Sequence, residues 1–161
     1  MMVMVDNNFL IKLVSNQQSY KVFYQSLKRR EISIGLPTPV IGEFLVIDEN
    51  SKRISFLNRV NSYSQIYDYD MKSAVIGAKI FSDLKRKEYF KGNNGARQVI
   101  KVDIQIIAIT MSNRVKNLYT EDKGLINIIK ELDLPIEVID FEKDELQGLS
   151  LFETISKASN F

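Results

Sequence analysis

Four acidic residues, Asp6, Glu43, Asp103 and Asp122, each stand where a local apolar pattern changes. Asp6 ends the apolar segment Val3 to Val5, and Asp122 sits where the segment Val115 to Tyr119 hands over to a helix-like run, Leu125 to Leu132. Glu43 shares a helix face with Val40 and Ile47, and Asp103 opens the helical pattern Val102 to Met111 on the side of Ile106, Ile107 and Thr110. Each has a plain explanation taken singly. Asp122 reads as an N-cap, Asp103 suits the positive end of a helix dipole, and Glu43 reads as one half of an ion pair with a distant Lys or Arg. Together they ask for more, because carboxylates held ~4 Å apart repel by about 1 to 4 kcal/mol. Such a cluster is stable only with a cation.

The residues that are missing narrow that cation. The chain has no cysteine and no histidine, which excludes disulfides, thiolate zinc sites, a Ser-His-Asp triad and any imidazole-ligated metal. All-oxygen donors favour Mg²⁺ or Mn²⁺, which keep several waters and bridge to substrate phosphates. The chemistry implied is metal-assisted phosphodiester hydrolysis, in which an ion positions or activates water and a second, where held, stabilises the leaving oxygen. A positive surface is expected beside the acids, drawn from Lys12, Arg53, Arg97, Lys101, Arg114, Lys116 and Lys123, because a phosphodiester polymer carries its charge along the backbone.

The elements that must position the acids can be read in order. At 161 residues the chain is expected to form one domain, and its 45% hydrophobic and 26% charged residues place it among globular proteins. The net charge of +2 is too small to imply a polyanion partner by itself. The start, Met1 to Asp6, lacks a positive n-region, so it is not read as a signal peptide. No run approaches the ~20 apolar residues of a membrane helix, and a cytoplasmic protein is expected.

Strands are expected near residues 3, 33, 66, 117 and 138. Between them come helices from Phe9, over Gln17 to Arg30, after Thr38 as N-cap with Pro39 at the first helical position, and over Ser51 to Val60. A long helix behind Asp70 follows, with Ala74, Gly77, Ala78, Phe81 and Leu84 on one face, then a loop at Gly92 to Gly95. This alternation describes a three-layer α/β/α domain over residues 1–141, with a mostly parallel central sheet of about five strands and a helical insert at about 50–91. Residues 142–161 form a polar, weakly amphipathic tail. In such sheets ligands bind beyond the carboxyl ends of the strands, which is where Asp6 and Asp122 fall.

At this point the chain resembles a known family. Asp6-Asn7-Asn8-Phe9-Leu10, Thr38 through Glu43-Phe44-Leu45, Asp103-Ile104-Gln105-Ile106-Ile107-Ala108 and Leu118-Tyr119-Thr120-Glu121-Asp122 are similar, in order and separation, to the four acidic blocks of PIN-domain ribonucleases. Within that family the chain is most similar to the VapC-type toxins of bacterial toxin-antitoxin systems. The resemblance implies a PIN-like fold and a Mg²⁺- or Mn²⁺-dependent endoribonuclease. Asp6, Glu43, Asp103 and Asp122 would be its catalytic, metal-binding acids and Asn8 and Thr120 supporting groups. Of the positive surface, Lys12, Arg97, Lys101 and Lys123 are expected to face the RNA. The resemblance also implies a homodimer and an antitoxin partner.

Two departures matter: Asn7 replaces a common hydroxyl residue, and Lys123-Gly124 stands where many relatives carry a further acid. The alternative is a catalytically weak or inactive PIN-like module that binds RNA or a protein. A receiver domain would need an acidic pair after the first strand, which Asn7-Asn8 does not supply. Of the insert's aromatics, Phe81 is expected in the core, whereas others among Phe56, Tyr63, Tyr67, Tyr69, Tyr89 and Phe90 are expected at an interface.

Overall fold

A run of four apolar residues makes a stable strand when both of its faces are covered, and Met2–Val5 (β1) is covered on both. The computed structural model describes residues 1–15, 25–27, 29–46, 51–61, 64–91 and 97–140, with the backbone alone at 61 and 97–100. β1 is the middle strand of a five-stranded parallel sheet with Ser33–Pro37 (β2), Ser64–Tyr67 (β3), Asn117–Tyr119 (β4) and Glu137–Ile139 (β5), in the order β3-β2-β1-β4-β5. The helices between them are Asn7–Ser15 (α1), Thr38–Leu45 (α2), Lys52–Asn61 (α3), Met71–Arg86 (α4), Arg97–Ser112 (α5) and Lys123–Glu131 (α6). The three-layer α/β/α architecture expected from the alternation is therefore present. No helix among the described residues is long and apolar enough to cross a membrane.

The core fills from the centre outward. Val3, Met4 and Val5 are closed off from solvent, as are Leu118 and Tyr119 on β4 and Ile107, Ala108 and Ile109 on α5. Phe9 of α1 stacks on Tyr119 at 5.7 Å, tying the helix after β1 to the neighbouring strand. Asp70 caps α4 as expected, accepting a bond from the Ser73 amide at 2.8 Å. The buried stripe of α4 is Ser73, Gly77, Ile80 and Leu84, and α5 packs against it. Gly77 permits that approach, as expected of a small residue there, although Ala78 faces solvent.

Several expectations are corrected. Thr38 is the first residue of α2 and not its cap; Pro37 occupies the cap position, and the Thr38 hydroxyl accepts the Tyr69 amide at 3.3 Å. The insert's aromatics serve the monomer: Phe56 is buried against Phe44 at 5.9 Å, Phe81 packs on Phe90 at 5.1 Å, and Tyr67, Tyr69 and Tyr89 lie against the core. The large apolar side chains left exposed are aliphatic instead, Val46, Ile54, Ile66, Met71 and Val75 among them. Tyr63, most of the Gln17 to Arg30 helix, the Gly92 to Gly95 loop and the tail from 142 lie outside the described residues.

Gly35 on β2 offers a stability test. A Cβ there would stand 2.5 Å from the Met4 sulfur and 3.1 Å from the Tyr67 ring. Met4 is fully buried and cannot retreat into solvent. Gly35→Ala is expected to cost about 1 to 3 kcal/mol by overpacking, read as a lower urea midpoint at unchanged slope; an unshifted midpoint would show that Met4 repacks without cost.

Candidate active site

Strand register decides which side chains meet. Val5 lies opposite Tyr119, so the next residue on each chain, Asp6 and Thr120, emerge side by side beyond the carboxyl edge of the sheet. This is also where strand order reverses direction, with β2 on one side of β1 and β4 on the other. That is the crevice in which open α/β sheets bind ligands.

The local bonds there are specific. Asp6 is only 3% exposed and accepts the Phe9 amide on Oδ1 at 2.9 Å, which caps the first turn of α1. Its Oδ2 accepts the Thr120 hydroxyl. With its one proton so committed, the Thr120 oxygen accepts the Asp122 amide at 2.9 Å. Asp122 in turn caps α6, Oδ1 accepting the amides of Gly124 at 2.6 Å and Leu125 at 3.2 Å. The plain reading of Asp122 thus holds, and it occupies one oxygen only.

Asp103 and Glu43 come from neighbouring helices. Because α5 begins at Arg97, Asp103 falls in the second turn and not the first, so the helix dipole does not account for it. It is 7% exposed and makes no hydrogen bond or ion pair with a described residue. Burial, followed by the charges of Asp122, Glu43 and Asp6, pushes its carboxyl up to about 7. Glu43, expected among apolar neighbours, stands instead at the exposed rim beside buried Phe44. Partial desolvation and the charges of Asp122 and Asp6 still raise it. Asp6 is raised by burial, against the pull of its Thr120 and Phe9 hydrogen bonds, with Asp122 and Glu121 adding to the rise. Every pair among the four acids therefore repels.

Whether a divalent ion fits is decided by the donors and the space. Among the described residues no three acidic side chains already enclose a metal position, so there is no preformed cage despite the mutual repulsion. The four carboxylates thus feel one another's charge without enclosing a common position. Mg²⁺ commonly takes one or two carboxylates and keeps its waters. Asp103 Oδ2 and Asp122 Oδ1 lie 2.8 and 2.9 Å from the point a Cβ of Gly124 would occupy, so a small cradle lies between elements there. Asn7, beside Asp6, buries its Oδ1 without a partner among the described residues, an acceptor of the kind a water satisfies. The all-oxygen set fits Mg²⁺ or Mn²⁺, with Asp103 and Asp122 as the residues that would hold it.

The expected positive surface is smaller than the sequence suggested. Lys12 reaches both oxygens of Glu121 at 2.6 Å, an ion pair at the mouth of the crevice. Arg53 donates to the Phe44 carbonyl at 2.6 Å and lies over the Phe44 ring, so it serves the α2–α3 packing. Arg114 and Lys116 precede β4 and thus lie at the opposite edge of the sheet. Lys101 and Lys123 are exposed on α5 and at the start of α6, while the Arg97 side chain lies outside the described residues. Asn8 is exposed and lines a shallow depression with Asp6, Lys12 and Thr120. Sequence reasoning missed the Lys12–Glu121 pair, for which a separation of 109 residues gives no local signal.

No protein-family model matches the chain, and no curated protein does. Solved structures do. VapBC2 from Rickettsia felis, bound to a DNA fragment from its promoter, has a chain that superposes with a TM-score of 0.64 at 17% identity, covering 86% of this chain and 98% of that one. VapBC-1 from nontypeable Haemophilus influenzae gives 0.62 at 15% identity over 87% and 98%. DNA-bound VapBC from Salmonella typhimurium gives 0.60 at 18% identity over 86% and 97%. Nearly the whole of each matched chain is covered. The chain therefore has the three-layer PIN-like fold, in the form found in VapBC complexes.

Proposed function

We propose that this chain is a Mg²⁺- or Mn²⁺-dependent endoribonuclease and the toxin of a toxin-antitoxin pair. The observation that carries the reading is the mutual repulsion of Asp6, Glu43, Asp103 and Asp122, with Asp103 buried and without a counter-charge among the described residues. A divalent ion bound there supplies charge to polarise a phosphodiester and to make bound water more acidic. Thr120 and the Phe9 amide fix the Asp6 carboxylate, so that its remaining lone pairs face the crevice. Lys101 and Lys123, with Lys12 and Arg97, receive the RNA backbone.

Likeness to VapBC complexes supports an antitoxin partner. A groove of about 200 Å³ between α2, α3 and β3, lined by Leu36, Ile41, Leu45, Ile54, Leu57 and Ile66, offers it apolar anchors. The protein acts in the cytoplasm as a homodimer. A second reading, an inactive RNA- or protein-binding module, draws on the absence of a ready-made three-acid cage among the described residues.

Cleavage of a structured RNA by the full chain separates the two. Mn²⁺ or Mg²⁺ should be required, excess EDTA should abolish it, and RNA affinity should fall steeply as salt rises. RNA binding without metal-dependent cleavage would favour the module.

A further inference from the structure

Glycine is a poor choice inside a helix, where alanine loses less chain entropy, yet Gly124 is the second residue of α6. Its backbone does not demand glycine, since its φ lies outside the left-handed region. The space above it does. A Cβ would stand 2.8 Å from Asp103 Oδ2 and 2.9 Å from Asp122 Oδ1. Neither oxygen can withdraw freely: Asp122 Oδ1 is held by the amides of Gly124 and Leu125, and Asp103 is buried.

We propose that Gly124 is a positioning residue for a divalent ion. Its missing side chain lets the Asp103 carboxylate, carried by α5, come over the first turn of α6 and share one cation with Asp122. The inference rests on the metal-dependent reading above. Two observations point to it independently, the glycine cradle and the state of Asp103. A carboxylate 7% exposed with no partner among the described residues is costly, and its oxygen is aimed into that cradle. The position that the sequence comparison marked as a lost acid is thus a gained approach: here two elements share the ion because the third side chain is absent. Any Cβ at 124 would turn Asp103 away and leave the ion with fewer protein oxygens and more water.

The test measures Mn²⁺ binding to the full chain by calorimetry, with electron paramagnetic resonance in ¹⁷O-enriched water to count the waters on the bound ion. Gly124→Ala is expected to weaken binding by about 10- to 100-fold and to add a water to the ion, which a purely structural change would not do. In an Asp103→Ser background the same glycine change should weaken binding several-fold less than in the wild type, because the Asp103 oxygen it displaces is gone and only the Asp122 Oδ1 contact at 2.9 Å remains. Should Gly124→Ala alone fold poorly, the Asp103→Ser background is expected to restore folding by vacating the space. Equal affinity in wild type and Gly124→Ala, an undiminished loss in the Asp103→Ser background, or no restored folding there overturns the proposal while the metal-dependent reading stands. A wild-type chain that binds no Mn²⁺ overturns both.

Discussion

Asp103→Asn is expected to lower metal-dependent RNA cleavage by ~100-fold or more while making the metal-free protein more stable at neutral pH. The two effects have one origin. Asp103 is buried, has no hydrogen-bond or ion-pair partner among the described residues and is faced by Asp122, Glu43 and Asp6, so its charge is useful only when a cation is present and is a liability otherwise. The amide keeps the shape and removes the charge. Asp6→Asn should lose cleavage similarly, yet without the same gain, because Asp6 already receives hydrogen bonds from Phe9 and Thr120 that an amide nitrogen cannot accept. Single-turnover cleavage and urea unfolding on the same samples check this. Full activity in Asp103→Asn would remove the acid from the proposed chemistry, and a strongly destabilised variant would mean that the carboxylate has a structural partner.

The stability of the metal-free chain should fall as pH rises from about 4 to about 7, by up to about 4 kcal/mol from Asp103 alone. The direction follows from proton binding. In the unfolded chain Asp103 loses its proton near 3.8, whereas in the folded chain it keeps it to about 7, so between those values the folded state binds more protons and rising pH favours unfolding. Above the folded value the loss is complete and the curve flattens. Asp6 and Glu43, also raised, steepen the slope in the same direction. Asp70, lowered chiefly by the Ser73 amide, acts oppositely and only in more acid solution. Urea midpoints in EDTA at pH 5 and pH 8 should therefore differ, and Asp103→Asn should remove most of the difference. Added Mn²⁺ should reverse the trend at pH 8, since an ion that binds only the folded state stabilises it. A pH slope unchanged in Asp103→Asn would place the proton elsewhere.

Local pattern was enough for the elements and for which acids end them. A fully apolar segment such as Val3 to Val5 closes onto both layers of a buried sheet, and an acid after such a strand falls at its carboxyl edge whatever the strand's neighbours. The cap at Asp70 and the cap at Asp122 follow from bonds three residues long or shorter. Strand order is different, because it depends on pairings between segments more than a hundred residues apart. Only the placement of β4 beside β1 brings Asp6 to Thr120 and Asp122, and Lys12 to Glu121. The fate of the aromatics was likewise tertiary: composition marks Phe56 and Phe90 as interface material, but a ring goes wherever a matching cavity exists, and here Phe44 and Phe81 provide it. Gly124 reads in sequence as an absence. What it does is set by an oxygen on another helix, 2.8 Å from where its side chain would begin, and no pattern along one chain records a distance between two helices.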